Sequence, residues 1–233
     1  MSKNVASKTV WAGILTSVLT LMLIVPAWAG DKQKDEDTLK NAAAVLQEVL
    51  NGNKIPSDVL AKSNCVIVLP NVKKFGIGLG ASGGRGAMTC REGEKFDGKW
   101  SAPAMYSIGG ASVGAQIGGT STDFVLLVMN EKGVDAILQD KTKLGSDASA
   151  AAGPSGATAQ TTSVAGADIY TYARTKGLFA GVSIDGATLH QDVDANKRLY
   201  GSKASAKEIV RESGVEMPNG GEQLVTLLNK YPK

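Results

Sequence analysis

The stretch from Trp100 to Gly186 decides the fold of this chain, and it opens WSAPAMYSIGGASVGAQIGGTSTDFVLLVMNEKG (Trp100–Gly133). It closes with YTYARTKGLFAGVSIDG (Tyr170–Gly186). Apolar runs of strand length alternate in it with glycine-rich turns, a pattern typical of antiparallel β structure. We therefore predict an α+β protein with a curved antiparallel sheet or barrel-like core, against which helices from both ends of the chain pack.

Two hairpins are predicted inside this stretch. Residues 111–118 and 123–129 have the composition of paired strands, and 119–122 would be the turn between them. A second hairpin spans 167–184, with its turn at 174–177.

A glycine-rich segment upstream predicts unusually close packing. Residues 75–86 carry glycine at nearly every second position, between the apolar run that begins at Cys65 and the strand predicted at 88–91. Alternate glycines in a strand remove the side chains from one face. Another part of the protein is therefore expected to pack closely there.

Helical periodicity marks both ends of the domain. Apolar residues recur at helical spacing over 38–50, with Asp37 as the predicted N-cap. Asn130 is the expected cap of a short internal helix, and Ser205 with Glu208 has the spacing of a capping box. The C-terminal helices are predicted at 193–200, 205–211 and 222–231.

The first 29 residues have the pattern of a secretory signal peptide. Lys3 and Lys8 precede an uncharged apolar run at 11–25, and small residues stand before the expected cleavage point between Ala29 and Gly30. We expect residues 30–37 to form a polar extension, residues 38–233 to form one domain, and the mature protein to be periplasmic or secreted. Retention of the segment as a membrane anchor is the alternative.

The charge balance argues against a nucleic-acid-binding protein. The formal net charge of the whole chain is +3. Without Lys3 and Lys8, 23 basic residues face 22 acidic ones, a net charge of about +1. Nucleic-acid binding needs a basic stripe that neutralises phosphates. No dense group of histidine, cysteine or paired carboxylates stands out, so no metal or cofactor is predicted.

Two cysteines are the candidates for a disulfide. Cys65 begins one predicted strand and Cys90 lies in another. In an oxidising compartment a pair of this kind favours a disulfide. Two buried thiols are the alternative.

Short catalytic patterns occur in the glycine-rich regions. Residues 78–83 match G-x-G-x-x-G, and the sequences around Ser82 and Ser112 match the nucleophile elbow G-x-S-x-G, for which His190 is the only histidine. Both patterns need a helix directly after the turn. None is predicted there, so a serine hydrolase remains a minor alternative.

Several separated motifs resemble one family in its own order. WSAPAMY, STDFVLLVMN, KLGSDASAAAGP and KGLFAGVS, together with YGSKASAKEIV and the final LLNKY, resemble the SYLF (Ysc84-type) domain. The exported single-domain form looks like the bacterial branch. The resemblance implies lipid binding, notably to phosphoinositides and other anionic lipids in eukaryotic members, and it does not imply catalysis. Some eukaryotic members bind actin, which an exported bacterial protein would not meet.

Basic residues near glycine-rich turns are the candidate headgroup ligands, because a phosphate favours free backbone N–H groups with Lys or Arg nearby. The candidates are Lys73, Lys74, Arg85, Arg174 and Lys176. The alternative is that they are ordinary solvated turn residues. Asp123 and Asp147 are expected to form capping or turn hydrogen bonds.

The sequence therefore predicts a non-enzymatic protein that binds an anionic phospholipid or membrane surface. A structural or partner-binding envelope protein is the alternative.

Overall fold

The computed structural model describes residues 27–154, 166–202, 205–212 and 214–232. The helices are α1 (Ala27–Asn51), α2 (Ser57–Lys62), α3 (Glu131–Ile137), α4 (Val193–Tyr200), α5 (Ala206–Arg211) and α6 (Gly221–Leu228). The strands are β1 (Cys65–Cys90), β2 (Ala104–Val128), β3 (Lys141–Lys143), β4 (Ala150–Ala152), β5 (Ile169–Thr175), β6 (Leu178–Gly181) and β7 (Thr188–Gln191).

The two longest strands, β1 and β2, pair to form a long ribbon at the centre of the sheet. The two strands pair antiparallel over almost their whole length, from Cys65 opposite Val128 to Met88 opposite Ala104. On its other edge β2 pairs with β7 and with β5, and β3 continues the sheet beyond β7. The edge of β5 that faces away from β2 pairs with β4 along its first half and with β6 along its second half. The sheet is strongly curled into a half-barrel with helices at both ends, which confirms the predicted fold class. The β4–β5 pair is parallel, so the sheet is mixed rather than purely antiparallel.

The hairpin predicted at 111–129 is wrong. Residues 119–122 continue the strand, because they pair with 72–75 of β1, and this ladder holds the backbone extended. The runs at Cys65 and at 88–91 likewise belong to one strand that ends at Cys90. The second hairpin is confirmed, with a loop of only Lys176 and Gly177.

The strand β1 bends back so far that its two halves touch. A Cβ atom added at Gly84 would lie 2.8 Å from Val72 Cγ2, and one added at Gly86 would collide with the carbonyl oxygen of Val68. The close packing predicted from the alternate glycines is therefore found, and it occurs between the two halves of one strand.

The predicted disulfide joins the two ends of β1. Cys65 and Cys90 are bonded, and their Cα atoms lie 4.0 Å apart. The Arg91 N–H also donates to the carbonyl oxygen of Asn64 at 2.8 Å, just outside the bridged pair. A strand of 26 residues is thus closed into a loop, and the disulfide holds the curl of the sheet.

Two irregularities interrupt the β1–β2 ladder. Between Leu69 and Val72, β1 has one residue more than the facing segment of β2, at Pro70–Asn71. Asn71 has a φ of 53°, a left-handed conformation that asparagine tolerates. Between Gly76 and Gly78, β2 carries the surplus residues. Such bulges bend a strand and increase its twist.

Each face of the sheet covers its own core. Alternate residues of β1 and β2, such as Ile67 and Leu126, fill the concave inside of the half-barrel together with residues of α3 and α5. Their neighbours, such as Val66 and Leu127, form a second layer with α1 and α6. Alternation along a strand places successive side chains on opposite faces, which produces this division.

Helix α1 begins ten residues before the predicted N-cap Asp37, so that cap is wrong and 30–37 is helical. The polar first turns of helix α1 are stabilised by pairs of neighbouring side chains, such as Lys34 and Asp31 at 3.0 Å. Asp35 is completely buried by contacts that the sequence pattern does not show. Residues 1–26 of the predicted signal peptide lie outside the described residues, and its cleavage stays a prediction. Within the described part, no helix has the length and apolar character needed to cross a membrane.

The other helix starts follow the sequence signals closely, whereas α6 ends at Leu228, three residues before the predicted end at 231. Asn130 caps α3 by accepting a hydrogen bond from the Gly133 N–H at 2.8 Å. The Ser205–Glu208 capping box at the start of α5 is formed in both directions. The bounds of α4 are those predicted.

Candidate functional site

The loop between β5 and β6 presents a cation and an apolar side chain to solvent. Lys176 and Gly177 have φ values of 50° and 78°, the left-handed pair that a two-residue hairpin loop of type I′ requires. Leu178, the first residue of β6, is 80% exposed. Of the large apolar side chains in the described residues, only Leu178 and Val193 are exposed, and Val193 reaches 42%.

Lys73 lies beside this loop. Its position in β1 faces Ser121 of β2. The hydroxyls of Thr122 and Thr175, 2.9 Å apart, connect the same part of β2 to the end of β5. Lys73 and Lys176 therefore flank β2 from opposite sides, two strand spacings or about 10 Å apart. We call Lys73, Lys176 and Leu178 the hairpin surface.

Lys74 is set apart from Lys73, because neighbouring residues of a strand point to opposite faces. It is half-buried and lines a cavity of about 250 Å³ together with Ser82 and Asp185. The structure thus brings Lys73 and Lys176 together and directs Lys74 elsewhere.

Arg174 lies next to the hairpin surface and is already paired. Its Nη2 lies 2.7 Å from Asp123 Oδ2, and the guanidinium also contacts Glu48 of α1. Burial lowers the pKa of Arg174, but hydrogen bonds with Asp123 and Glu48 outweigh it and raise that pKa. Arg174 therefore fastens α1 to the sheet and offers little free charge to a ligand.

Arg85 belongs to a different cluster, at the other half of β1. It contacts the buried Asp35 at 2.6 Å and Asp192 at 2.8 Å. Arg198 of α4 contacts the same Asp35 carboxylate at 2.6 Å. This network of two arginines and two aspartates joins α1, β1 and α4, and it neutralises Arg85.

The sequence reasoning missed Leu178 as a surface feature and Asp35 as a buried ion-pair partner. Leu178 directly follows Lys176-Gly177, the two residues of a type I′ turn, and this position at the tip of a hairpin could have indicated that its side chain is exposed. No local pattern identifies Asp35, because its partners come from positions 85 and 198.

The catalytic patterns lie inside strands. Residues 78–83 and the segment around Ser82 belong to β1, and Ser112 lies in β2. The Ser82 hydroxyl donates to the carbonyl oxygen of Gly110 at 3.3 Å, across the ladder. Neither pattern is therefore followed by the helix that a phosphate loop or nucleophile elbow requires.

Asp123 and Asp147 both use their carboxylates in hydrogen bonds, Asp123 across the sheet and Asp147 within its own turn. Asp123 accepts a hydrogen bond from the Asn71 N–H at 2.8 Å, besides binding Arg174. Asp147 accepts one from the Lys143 N–H at 2.7 Å and one from the Ser146 hydroxyl at 3.0 Å. These bonds lower the pKa of Asp147. Among the described residues, no group of three or more His, Cys, Asp or Glu is placed to hold a metal ion.

Comparison with known proteins identifies relatives of this chain. Residues 109–231 match the family model Ysc84, which is described as a Las17-binding protein actin regulator. The chain is 37% identical over 180 residues to an SH3 domain-containing protein of Schizosaccharomyces pombe; the match covers 75% of this chain and 41% of the relative. It is 31% identical over 201 residues to Protein YSC84 of Saccharomyces cerevisiae, covering 81% and 42% of the two chains.

A human protein, SH3 domain-containing YSC84-like protein 1, is 31% identical over 202 residues, which cover 82% of this chain and 58% of the relative. The chain thus spans between two fifths and three fifths of the length of these relatives. The family-model match runs from within β2, through the β5–β6 hairpin, to the C-terminal helices. The chain therefore belongs to the Ysc84, or SYLF, family.

Proposed function

We propose that this protein binds the surface of anionic phospholipid membranes through the hairpin surface, without catalysis. One observation supports this most directly: Leu178 is 80% exposed immediately after the two-residue loop that carries Lys176. An apolar side chain next to a cation can enter the headgroup region while the ammonium groups of Lys176 and Lys73 meet phosphates.

The expected affinity is modest. Burial of one leucine side chain contributes about 1.5–3 kcal/mol. Each lysine near an anionic membrane surface contributes about 1 kcal/mol. A single hairpin surface would therefore hold the protein only transiently, and salt would weaken the binding because exposed charges are screened.

Co-sedimentation with liposomes tests the proposal. The chain from Gly30 onward is used, because the apolar run at 11–25 would itself insert into vesicles. We expect binding to vesicles that contain phosphatidylglycerol, less binding at high salt, and little binding to phosphatidylcholine alone. Lys73→Glu combined with Lys176→Glu should abolish binding, and Leu178→Ser should weaken it.

Two matched variants serve as controls. Lys141→Glu changes an exposed lysine of β3, and Val193→Ser removes the other exposed apolar side chain. Both should bind as the unaltered chain does. If the hairpin variants remain folded and bind normally, or if the controls lose as much binding, the hairpin surface is not the membrane site.

The cellular setting is part of the same proposal. The signal-peptide pattern at 1–29 supports export to the periplasm or the exterior and a place in the bacterial branch of the family, where anionic phospholipid would be the partner. A fractionation experiment that finds the protein only in the cytoplasm would contradict this.

A protein partner is the second candidate function. The description of the matching family as Las17-binding favours it, since that name refers to a protein ligand. If the chain from Gly30 onward binds no vesicle under any condition, recovery of a partner from envelope extracts would support this second candidate.

A further inference from the structure

A buried arginine without an acidic partner lies at the end of β1. Arg91 follows the disulfide residue Cys90 and is only 4% exposed. Its Nη2 donates to the carbonyl oxygen of Tyr231 at 2.7 Å and to that of Ala61 at 3.4 Å. Within the described ranges, no carboxylate lies at ion-pair distance from it, whereas Arg85, Arg174 and Arg198 all have one.

One hydrogen-bond donor of the same side chain, Nε, is buried without a partner. Its guanidinium lies over the ring of Trp100, 4.4 Å from the ring centroid. In the described residues, three buried side-chain nitrogen or oxygen atoms lack a partner, and two of them are Arg91 Nε and Trp100 Nε1. Burial lowers the pKa of Arg91, which reflects the cost of holding its charge away from water. A buried polar group of this kind normally has a partner.

A cavity of about 550 Å³ opens beside Arg91. Lys99 adds a second positive charge to its lining, and Asp97 adds one negative charge, so the lining carries a net charge of +1. Asn229 and the backbone of Gly98 supply further polar groups.

We propose that this cavity is a binding site for a phosphate group, held by the Arg91 guanidinium and the Lys99 ammonium. A phosphate monoester carries a charge of about −1.5 to −2 at pH 7, so it can neutralise two cations, whereas a carboxylate neutralises one. Arginine and lysine together are the usual phosphate ligands in proteins.

The site is separate from the hairpin surface. Arg91 lies next to Asn64, at the end of the ribbon where Cys65 faces Val128. Lys73 is eight residues away from Cys65 along β1. That distance along a strand is about 25 Å. The phosphate site can therefore be occupied or lost independently of the proposed membrane contact.

Fluorescence of Trp100 provides the test. The chain has three tryptophans, and replacing Trp11 and Trp28 by phenylalanine in the full chain leaves Trp100 as the sole reporter. The protein, kept in a neutral detergent, is titrated with inorganic phosphate at constant ionic strength. We expect a saturable change in Trp100 emission, no change with chloride, and at least about tenfold weaker binding of acetate.

Three variants locate the site. Lys99→Ala should weaken phosphate binding about fivefold, and Asp97→Asn should strengthen it by a similar factor, since it removes a repulsive charge. Lys141→Ala, on the exposed strand β3, should leave the affinity unchanged. Arg91→Lys keeps the charge but loses the planar fork, and it should weaken binding further if circular dichroism shows that it folds. Lys99 and Asp97 are exposed, so their variants test the site even if Arg91→Lys does not fold.

The source of the phosphate is distinguished by two more ligands. Equal responses to inorganic phosphate and glycerol 3-phosphate, without a response to vesicles, would assign the site to soluble phosphates. For the vesicle measurements the chain from Gly30 onward is used without detergent, and Trp100 is then its only tryptophan. A response to phosphatidylglycerol vesicles that Lys99→Ala weakens and Lys73→Glu leaves intact would assign the site to a lipid headgroup. No saturable response to any of these ligands, or one that Lys99→Ala and Asp97→Asn leave unaltered, would overturn the proposal.

Discussion

Substitution of Gly86 by alanine should destabilise the fold far more than the same change three residues earlier. At Gly86 the added methyl group would overlap the carbonyl oxygen of Val68 and lie 2.8 Å from Leu69 Cα. All of these atoms are backbone in the facing half of β1, so no side chain can rotate away. At Gly83 the nearest atom would be 3.9 Å away, an ordinary contact.

Overpacking of a well-packed interior costs about 1–3 kcal/mol and occasionally more. We expect Gly86→Ala to reach the upper end, about 3 kcal/mol, because relief of the overlap requires the two halves of β1 to separate. Gly83→Ala should lie within about 0.5 kcal/mol of the unaltered protein, as exposed substitutions usually do. A loss of 3 kcal/mol corresponds to a fall in Tm of roughly 6–12 °C for a domain of this size.

Urea unfolding followed by circular dichroism measures both variants, and thermal melts give an independent check. If Gly86→Ala costs less than about 1 kcal/mol, or if Gly83→Ala is equally destabilising, then the close approach of the two halves of β1 is not the reason that position 86 needs a glycine.

Two further predictions concern covalent and acid–base contributions to stability. Reduction of Cys65–Cys90 opens a loop of 25 residues and should lower the free energy of unfolding by about 3.5 kcal/mol, which urea midpoints with and without reductant would show; equal midpoints would contradict it. Burial would raise the pKa of Asp168, but hydrogen bonds from Ser149, Asn130 and Lys132 outweigh it and lower that pKa from 3.8 to about 2. Because the carboxylate form is favoured in the folded state, this contribution of about 2 kcal/mol is complete above pH 4 and disappears as the pH falls through 2. Unfolding of the unaltered protein and of Asp168→Asn between pH 6 and 2 checks the sign, since the variant should lose less stability in acid.

Local signals in the sequence predicted much of this structure. The Asn130 cap, the Ser205–Glu208 box and the Lys176–Gly177 turn each depend on a few neighbouring residues, and each is found. The Cys65–Cys90 disulfide was predicted from the expected oxidising compartment, with the two cysteines in separate strands, whereas the structure has them at the two ends of one strand.

The errors have a common physical origin in contacts between distant residues. The segment 119–122 has turn composition, but pairing with 72–75 keeps it extended. The segment 30–37 has the composition of a frayed terminus, but Asp35 is buried against arginines that follow it by 50 and 163 residues. Of the proposed headgroup ligands, Arg85 and Arg174 are paired with aspartates, which a count of basic residues cannot show.

The extra residue at Pro70–Asn71 has a consequence for how the ribbon can change in length. The separation of 25 between Cys65 and Cys90 is an odd number, so in a regular strand their side chains would point to opposite faces. The single-residue bulge reverses the parity of every position after it, so that both cysteines turn inward. Deletion of one residue there would point Cys90 toward the helices, and all later core residues of β1 with it. We infer that β1 can gain or lose residues in evolution only in even numbers. The one-residue bulge sets which face each later side chain points to, so any odd change in length would break the disulfide pairing and exchange the residues of the two cores.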